Sequence, residues 1–543
     1  PLWTALVAVL VMVLAALSRW LAKRRTGRLS LASIALLAAA WCSMHALCFN
    51  WRGSSLGNAP SLVLVYLATT GWIGWCAAVW FTRLTLARRA SLLVACLAPL
   101  AIWLTSVRCY GLDGHGRPIP GWRFLGNPPE NASVLLAPAG RPAEPRATLK
   151  RPAVSPDDYP AFRGRDGLGT IAGVRLATDW KSTPPRLLWR HAIGNGWGSF
   201  ALVGQAGFTQ EQRGAEECVV CYDLTTGRQR WIHADTARFS SPMAGGGPRA
   251  TPAVSEGRVY SLGATGILNC LDATTGDRHW SVDVLADNGA NNVYHGLSGS
   301  PLVLGERVVV SVGQRDRALV AYHAPTGERI WQAGSDPAGY GSPLVCQLDG
   351  REQIMILNRP GLAAHDPATG RVLWTFPWAN DQETNCSQPA PVGGNRVLVS
   401  TGYGKGCALL QVQCSEAAWS AESLWTSRQL KTKFASAVVR GGFAYGLDDG
   451  VLTCIDLASG SRRWRAGRYG HGQVLLIEDL MLVQCEDGDV ALVAADPAAH
   501  RELGRAPALG GKTWNYPALA GSLLVVRNDL EAACFELPLE SER

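Results

Sequence analysis

An eleven-residue pattern recurs along most of the chain after residue 160 and constrains the fold more than any other feature. Its clearest copy is CLDATTGDRHW at residues 270–280, which reads as the end of a strand, a tight turn and a second short strand. Asp272 can accept hydrogen bonds from the turn, Gly276 allows the positive φ that such a turn requires, and Trp280 offers a large apolar surface. The other copies are at residues 221–231, 321–331, 364–374 and 454–464.

The spacing of the copies predicts the architecture. The closing tryptophans lie 39 to 51 residues apart, a period typical of propeller blades with four short strands each. They are Trp189, Trp231, Trp280, Trp331, Trp374, Trp425 and Trp464, with Leu503 in the same place in a degenerate last copy. First strands begin near Ser199, Thr251, Ser300, Ser342, Gln388, Ala435, Gly472 and Tyr516. We therefore predict an all-β propeller of eight blades over residues 161–543, with the tryptophans as structural residues between blades.

One closing strand, at residues 186–191, precedes every first strand. The eight first strands are then followed by only seven closing strands. The simplest solution is that residues 186–191 pair with the last blade, which begins at Tyr516. This pairing would join the two ends of the domain and leave no open sheet edge.

The motif D-x-x-T/S-G-x-x-x-W, at residues 223–231, 272–280, 366–374 and 456–464, resembles the tryptophan-docking repeat of pyrroloquinoline quinone (PQQ)-like eight-bladed propellers. That family includes quinoprotein alcohol and glucose dehydrogenases and also non-enzymatic members, such as the propeller lipoprotein of the outer-membrane assembly machinery. The whole layout is similar to membrane-anchored PQQ-like repeat proteins of planctomycete-type bacteria. The resemblance implies the fold and leaves the activity open.

The N-terminal part of the chain reads as a membrane domain. Its apolar runs are each near the length that crosses a bilayer as a helix, and they lie at residues 2–21, 29–49, 61–81 and 90–107. We predict four transmembrane helices over residues 1–110. Residues 111–160 contain ten prolines and predict an irregular linker to the propeller. A cleaved signal peptide is the alternative for the first run, but no basic residue precedes it.

The distribution of charge sets the predicted orientation and excludes one class of partner. Residues 1–130 carry 12 Lys and Arg against 2 Asp and Glu, and the basic residues cluster after the first and third runs. By the positive-inside rule these loops are cytoplasmic, which places the propeller on the periplasmic side of a multi-pass inner-membrane protein. The remaining residues carry 39 Lys and Arg against 41 Asp and Glu. Because this balance offers no basic surface for phosphates, we expect no nucleic-acid partner.

The candidate binding residues lie in the loops that enter the first strands. In a propeller these loops gather on one face around the central channel, where a ligand would be held. The candidates are Asn195, Trp197, Arg249, Asn291, Tyr294, His295, Tyr340, Asn385, Lys431, Lys433, His471, Lys512 and Trp514. The set is aromatic, amide-bearing and basic, which favours a protein or another polar partner. The alternative is that these groups only satisfy loop backbone and hydrate the channel.

The family resemblance implies a second possible function, PQQ- and Ca²⁺-dependent oxidation of a sugar or an alcohol. Such enzymes hold Ca²⁺ with carboxylate and amide oxygens and use an aspartate as base. Asp381 and Glu383 beside Asn385 are the carboxylates near a suitable loop, and Lys431 or Lys433 could pair with a quinone oxygen. The adjacent cysteine pair of the alcohol dehydrogenases and the long loops of the glucose dehydrogenases are absent from the sequence.

We therefore expect a non-catalytic binding or scaffold module, with no catalytic residue, no metal and no resident cofactor, and with other membrane or envelope proteins as partners. A PQQ- and Ca²⁺-dependent dehydrogenase that resembles the quinoprotein glucose dehydrogenases is the alternative. The C-x-x-C of Cys218 and Cys221 does not indicate a haem site, because Tyr222 follows it where a haem motif needs histidine. It does not indicate a redox or zinc site either, because residues three apart on a strand face opposite sides. A disulfide between Cys407 and Cys414, or one involving Cys386, stays open.

Overall fold

The computed structural model describes residues 107–122, 154–241, 244–416 and 418–540. The predicted transmembrane runs lie outside these residues except at Val107, where the last run meets strand β1. Among the residues that are described, no helix has the length and apolar character needed to cross a membrane.

Strands β1 (Val107–Leu112) and β2 (Pro118–Trp122) form a two-stranded sheet that overlaps the predicted boundary between membrane domain and linker. The central part of this hairpin, Cys109–Ile119, belongs to the same compact unit as the propeller. The described part of the predicted linker therefore contains ordered strands.

Eight antiparallel meanders follow one another: seven contain four consecutive strands as neighbours, and the eighth takes its fourth strand from the start of the propeller. Before them lie β3 (Thr170–Ile171) and β4 (Arg186–Ala192). Blade 1 contains β5 (Ala201–Val203), β6 (Ala206–Arg213), β7 (Glu216–Asp223) and β8 (Gln229–Asp235). A short pair follows, β9 (Ser240–Ser241) and β10 (Gly245–Gly246). Blade 2 contains β11 (Ala253–Ser255), β12 (Arg258–Leu262), β13 (Ile267–Asp272) and β14 (Arg278–Asp283), and a helical turn α1 (Val284–Asp287) follows it.

Blades 3 to 5 repeat the same order. Blade 3 contains β15 (Leu302–Leu304), β16 (Arg307–Gln314), β17 (Arg317–His323) and β18 (Arg329–Ala333). Blade 4 contains β19 (Leu344–Leu348), β20 (Arg351–Leu357), β21 (Gly361–His365) and β22 (Val372–Pro377). Blade 5 contains β23 (Ala390–Gly393), β24 (Arg396–Thr401), β25 (Gly406–Ser415) and β26 (Ala418–Ser427).

Blades 6 to 8 complete the ring. Blade 6 contains β27 (Val438–Arg440), β28 (Phe443–Asp448), β29 (Val451–Asp456) and β30 (Arg462–Arg468). Blade 7 contains β31 (Gln473–Ile477), β32 (Leu480–Gln484), β33 (Asp489–Ala494) and β34 (Glu502–Pro507), and β3 pairs in parallel with β31. Blade 8 contains β35 (Ala518–Ala520), β36 (Leu523–Arg527) and β37 (Glu531–Glu536), and its fourth strand is β4.

The burial of the strands explains their sequences. The inner strand β32 is buried at every residue, since neighbouring blades cover both of its faces, and it reads LMLVQ. The outer strand β34 has polar and exposed residues interspersed with partly buried ones, and it reads ELGRAP. A continuous apolar run therefore marks an inner strand, and a broken apolar pattern marks an outer one.

The repeated motif forms the contact between consecutive blades. The Asp272 carboxylate accepts hydrogen bonds from the backbone N–H groups of Thr274 and Thr275 at 2.8 and 3.0 Å. Gly276 has φ of 77°, and a Cβ there would lie 2.6 Å from the ring of Trp231 in the preceding blade. Trp231 Nε1 also donates to the Ala273 carbonyl at 3.1 Å. The turn of one blade is thus the docking surface for the tryptophan of the blade before it.

Trp189, Trp280, Trp331, Trp425 and Trp464 likewise donate to backbone carbonyls of the next blade. Trp374 differs, because it donates to Gln353 of its own blade at 2.8 Å. Blade 5 has a long hairpin of two ten-residue strands, β25 and β26, in place of the short motif turn. Trp374 is nevertheless buried with residues of blade 5. The tryptophans therefore lie at contacts within and between blades.

The ring is closed by β4, which pairs antiparallel with β37 and places Trp189 opposite Cys534. This is the pairing that the count of first and closing strands predicts. The ten cysteines within the described residues after 154 are all free, so neither Cys407 and Cys414 nor Cys386 forms a disulfide here. Burial raises the pKa of the Cys218 and Cys221 thiols to about 12, which makes both poor nucleophiles.

Candidate functional site

Aromatic side chains from four blades meet where the first strands begin. The ring centroids of Trp197 (blade 1) and Trp514 (blade 8) are 5.1 Å apart, and Phe434 (blade 6) lies 4.8 Å from Trp514. His471 of blade 7 lies 5.8 Å from Phe434 and is 3% exposed. All four residues lie in loops that enter first strands, and such loops share one end of the meanders.

Two lysines lie against this aromatic surface. Lys512 Nζ is 4.8 and 4.3 Å from the ring centroids of Trp197 and Trp514. Lys433 Nζ is 5.3 Å from Phe434 and 4.9 Å from Tyr403, which lies in the turn between β24 and β25. Cations over aromatic faces are attracted by the ring quadrupole. The rings therefore help to hold both ammonium groups in place. Burial lowers the pKa of Lys433.

The carboxylate of Glu486, in the turn between β32 and β33, faces these groups. It accepts hydrogen bonds from Trp514 Nε1 at 2.9 Å and from the His471 backbone N–H at 2.9 Å. Burial alone would raise its pKa, but these hydrogen bonds outweigh burial and lower it. We call this surface the channel mouth, and it consists of Trp197, Lys433, Phe434, His471, Glu486, Lys512 and Trp514.

The turn of the β1–β2 hairpin occupies part of the channel mouth. The Gly114 N–H donates to Glu486 at 2.5 Å, and Lys433 Nζ donates to the Gly114 carbonyl at 2.5 Å. Lys512 Nζ lies 3.4 Å from the Leu112 carbonyl oxygen, to which it donates. The rings of His115 and His471 meet edge to face at 4.5 Å. A polypeptide turn is thus bound through both its backbone N–H and its carbonyl groups.

We expect His471 to make the protein less stable in mild acid. Burial, and then the charge of Lys433, lower its pKa to about 4 in the folded chain, against about 6.5 in an unfolded one. Between those pH values the unfolded chain binds a proton that folded His471 does not, so stability falls as the pH drops from 6.5 to 4. The melting temperature should therefore fall more between pH 7 and pH 5 in the wild type than in His471→Gln.

The control for this comparison is His279→Gln, at a histidine whose side chain is 37% exposed and lies outside the channel mouth. Its melting temperature should follow the wild-type pH dependence. Identical pH dependence in the wild type and His471→Gln would show that His471 does not titrate as its burial requires.

A second group of predicted residues forms a separate cluster from blades 2 to 4. Arg249 Nε donates to the His295 carbonyl at 2.8 Å, and the rings of His295 and Tyr340 are 5.4 Å apart. The Arg249 guanidinium also lies 4.7 Å from the centroid of Phe239, and burial lowers its pKa to about 10. Tyr294, whose ring is 4.7 Å from His295, is 61% exposed. This cluster presents an exposed phenol beside a largely buried cation.

Three of the other predicted binding residues are engaged elsewhere in the fold. The fully buried Asn385 amide donates to the Asn358 and Trp378 carbonyls at 2.8 and 3.1 Å. Lys431 forms an ion pair with Asp448 at 2.5 Å. Asn195 donates to the Asp529 carbonyl at 2.8 Å, and Asn291 is exposed. Asn385, Lys431 and Asn195 therefore fix loop backbone or neighbouring loops.

Sequence reasoning missed Glu486, Phe434, Tyr403 and the hairpin turn. Glu486 and Tyr403 lie in turns between the second and third strands of their blades. In an antiparallel meander those turns fall at the same end as the loops that enter the first strands. A search of both sets of loops would have found Glu486 and Tyr403, whereas nothing local in the hairpin sequence indicates its contact with blade 7.

The residues proposed to hold Ca²⁺ beside a quinone do not fit that role. Glu383 is 71% exposed in its side chain and lies 3.5 Å from Arg359, and Asp381 is exposed. The amide of Asn385, the third candidate ligand, accepts from Asn380 and donates to carbonyls. No group of three His, Cys, Asp or Glu side chains within the described ranges is arranged to hold a metal ion.

Comparison with known proteins agrees with the fold. Residues 215–466 match the PQQ-repeat family model described as outer membrane protein assembly factor BamB. The repeats within residues 215–466 are therefore PQQ-like repeats. The BamB protein of Bordetella pertussis is 26% identical over 295 residues, which cover 52% of this chain and 68% of that protein.

The PQQ-like repeats are also similar to those of quinoprotein dehydrogenases. Quinohemoprotein alcohol dehydrogenase ADH-IIG of Pseudomonas putida is 36% identical over 84 residues, which cover 15% of this chain and 11% of that enzyme. The solved structure of the ADHIIG enzyme from strain HK5 superposes with a TM-score of 0.53 and 13% identity, covering 73% of this chain and 84% of that one. The structural likeness shows a shared fold. The propeller is thus related both to an assembly factor and to oxidoreductases.

Proposed function

We propose that this chain is a membrane-anchored protein of the inner membrane whose propeller lies on the periplasmic side and serves as a non-catalytic binding or scaffold module. Its partners are other membrane or envelope proteins, or polar ligands, and it carries no resident cofactor. The observation that carries the proposal is the channel mouth, where two lysines and one carboxylate hold the backbone of a polypeptide turn.

The chemistry of the channel mouth supports binding. Aromatic rings and cations supply contact area and orientation, as at many protein interfaces. Its carboxylate, Glu486, accepts three hydrogen bonds and has a lowered pKa, so it is a poor proton acceptor for an alcohol. The relatives named as assembly factors of the outer membrane match over two-thirds of their own length, which favours the same kind of role.

The alternative function is a PQQ- and Ca²⁺-dependent dehydrogenase of sugars or alcohols. The similarity to quinohemoprotein alcohol dehydrogenases supports it, although the curated enzymes match over 11% to 30% of their length. A planar quinone would have to share the channel mouth with the hairpin turn.

A photo-crosslinking experiment in living cells tests the scaffold proposal. Tyr294 is exposed beside His295 and Arg249, and we expect a photoreactive phenylalanine analogue at this position to give discrete adducts with envelope proteins. The matched control is Ile330 on the outer strand of blade 3, which is 42% exposed. Equal adduct patterns at the two positions would count against a partner at this face.

A separate activity assay tests the enzymatic alternative. Full-length protein in detergent, supplied with PQQ and Ca²⁺, should reduce no electron-accepting dye in the presence of alcohols or sugars. Turnover that requires both additives would overturn the scaffold proposal and establish the dehydrogenase.

A further inference from the structure

We propose that the channel mouth recognises a glycine-containing turn of a partner polypeptide, and that residues 113–117 of this chain occupy the same place as an internal competitor. The inference rests on the proposed function, because it names the kind of protein segment that the scaffold binds. It follows from the contacts of the hairpin turn and from the space around one glycine.

The contacts with the turn are made to its main chain. Glu486 accepts the Gly114 N–H, Lys433 donates to the Gly114 carbonyl, and Lys512 donates to the Leu112 carbonyl. An anion faces an N–H group and cations face carbonyls, so the charges match the dipoles of the peptide units. Every polypeptide carries these groups, and the same three side chains can therefore receive a turn of equal shape from another protein.

The shape of the site selects glycine. A Cβ on Gly114 would lie 2.2 Å from Cδ2 of His471, too close for any side chain. His471 is 3% exposed, its backbone N–H is held by Glu486, and Phe434 lies beside its ring. The imidazole therefore has little room to move aside. A partner turn must present glycine at the position of Gly114.

The residues beside Gly114 shape the turn and add one ring contact. The Asp113 carboxylate accepts from the backbone N–H groups of His115 and Arg117 at 2.9 and 2.7 Å, which forms the turn before it docks. The ring of His115 then packs edge to face on His471. The favoured partner segment is thus an aspartate followed by glycine and an aromatic or histidine residue.

Competition follows from the covalent connection. A turn on the same chain is present at a high effective concentration, so it excludes a free peptide of equal intrinsic affinity. A partner binds when its additional contacts outweigh that advantage or when the hairpin leaves the channel mouth. The second cluster, with Arg249, His295 and Tyr294, offers a place for such contacts.

The test uses the full chain in detergent and a cyclic peptide that contains residues 112–117. The Gly114→Ala variant should release its own turn and bind the peptide at least tenfold more tightly than the wild type, as measured by calorimetry. Gly246→Ala is the matched control, because a Cβ there meets nothing closer than 3.8 Å, and it should bind as weakly as the wild type. The peptide with alanine in place of Gly114 should not bind.

A second substitution examines the role of the carboxylate. In the Gly114→Ala background, Glu486→Gln should weaken peptide binding about tenfold, because a charged acceptor is replaced by a neutral one. Circular dichroism of each variant verifies that the propeller is folded. Binding to folded Gly114→Ala that is no tighter than to the wild type, or equal binding of the alanine peptide, would overturn the inference.

The two proposals fail in different ways. If the Tyr294 adducts form but the peptide does not bind Gly114→Ala, recognition of a glycine turn is wrong and the scaffold proposal stands. If the peptide binds but position 294 gives no more adducts than position 330, the channel mouth binds a turn only within this chain, which overturns recognition of a partner.

Discussion

Replacing Arg527 with methionine should destabilise the propeller by about 3–5 kcal/mol, because it leaves buried groups at the ring closure without partners. Arg527 ends β36 in blade 8 and is 1% exposed. Its guanidinium donates to Thr209 Oγ1 and the Gln210 carbonyl of blade 1 at 2.7 and 2.8 Å. It also donates to the Gly194 and Gly196 carbonyls, at 3.1 and 3.2 Å, in the loop that joins β4 to blade 1.

The loss should also disturb a buried carboxylate. The positive charges of Arg213 and Arg527 oppose the effect of burial and keep the pKa of Glu211 lowered. Without Arg527, Glu211 retains its hydrogen bonds with Arg213, Tyr222 and the Gly194 N–H, at 2.9, 2.6 and 2.8 Å, but it loses one of its two neighbouring positive charges. The methionine variant should therefore lose further stability at neutral pH, where Glu211 is charged.

Thermal unfolding followed by circular dichroism measures this effect. For a domain of this size the loss corresponds to roughly 4–6 °C in melting temperature. Arg527→Lys should recover only part of it, since one ammonium group cannot reach all four oxygens. Arg501→Met is the matched control, because that side chain is 60% exposed and pairs with Asp496 at the surface. Equal melting temperatures for Arg527→Met and Arg501→Met would contradict a stabilising role for Arg527.

Arg527 illustrates what the sequence does not reveal. The strand reads LLVVRND, and a basic residue between an apolar run and a turn looks like a solvated strand end. Its burial arises from carbonyls more than 300 residues away in the chain, brought close only when the ring closes. The repeat motif was predictable because the aspartate, glycine and tryptophan act within one turn and its neighbouring blade.

The candidate site also has features that the sequence predicts and features that it does not. Topology places all loops that enter first strands on one face, which was enough to predict that Trp197, His471 and Trp514 lie on the same surface. The orientation of each side chain depends on its local partners, and Asn385 and Lys431 are held by backbone carbonyls and by Asp448. The docked hairpin turn was not predictable, because the proline-rich composition of residues 111–160 indicates only an irregular linker.

Trp189→Ala should both destabilise the propeller and loosen the strand that closes it. Trp189 is 8% exposed, donates to the Leu224 carbonyl at 2.7 Å and packs against Gly227 of blade 1. Truncation of a buried tryptophan costs about 3–5 kcal/mol. Leu187→Ala on the same strand should cost far less, because Leu187 is 49% exposed.

The Trp280→Ala variant is the control that distinguishes the effect of losing a buried tryptophan from the effect of opening the ring. Trp280 makes the same contact between blades 2 and 3, where the chain itself connects the blades. β4 is held to β37 by non-covalent contacts alone, so the loss of Trp189 should speed amide exchange in residues 186–192 by more than tenfold. Trp280→Ala should leave exchange there close to that of the wild type. Equal exchange in the two variants would mean that the ring closure has no special weakness and that stability is spread evenly over the blade interfaces.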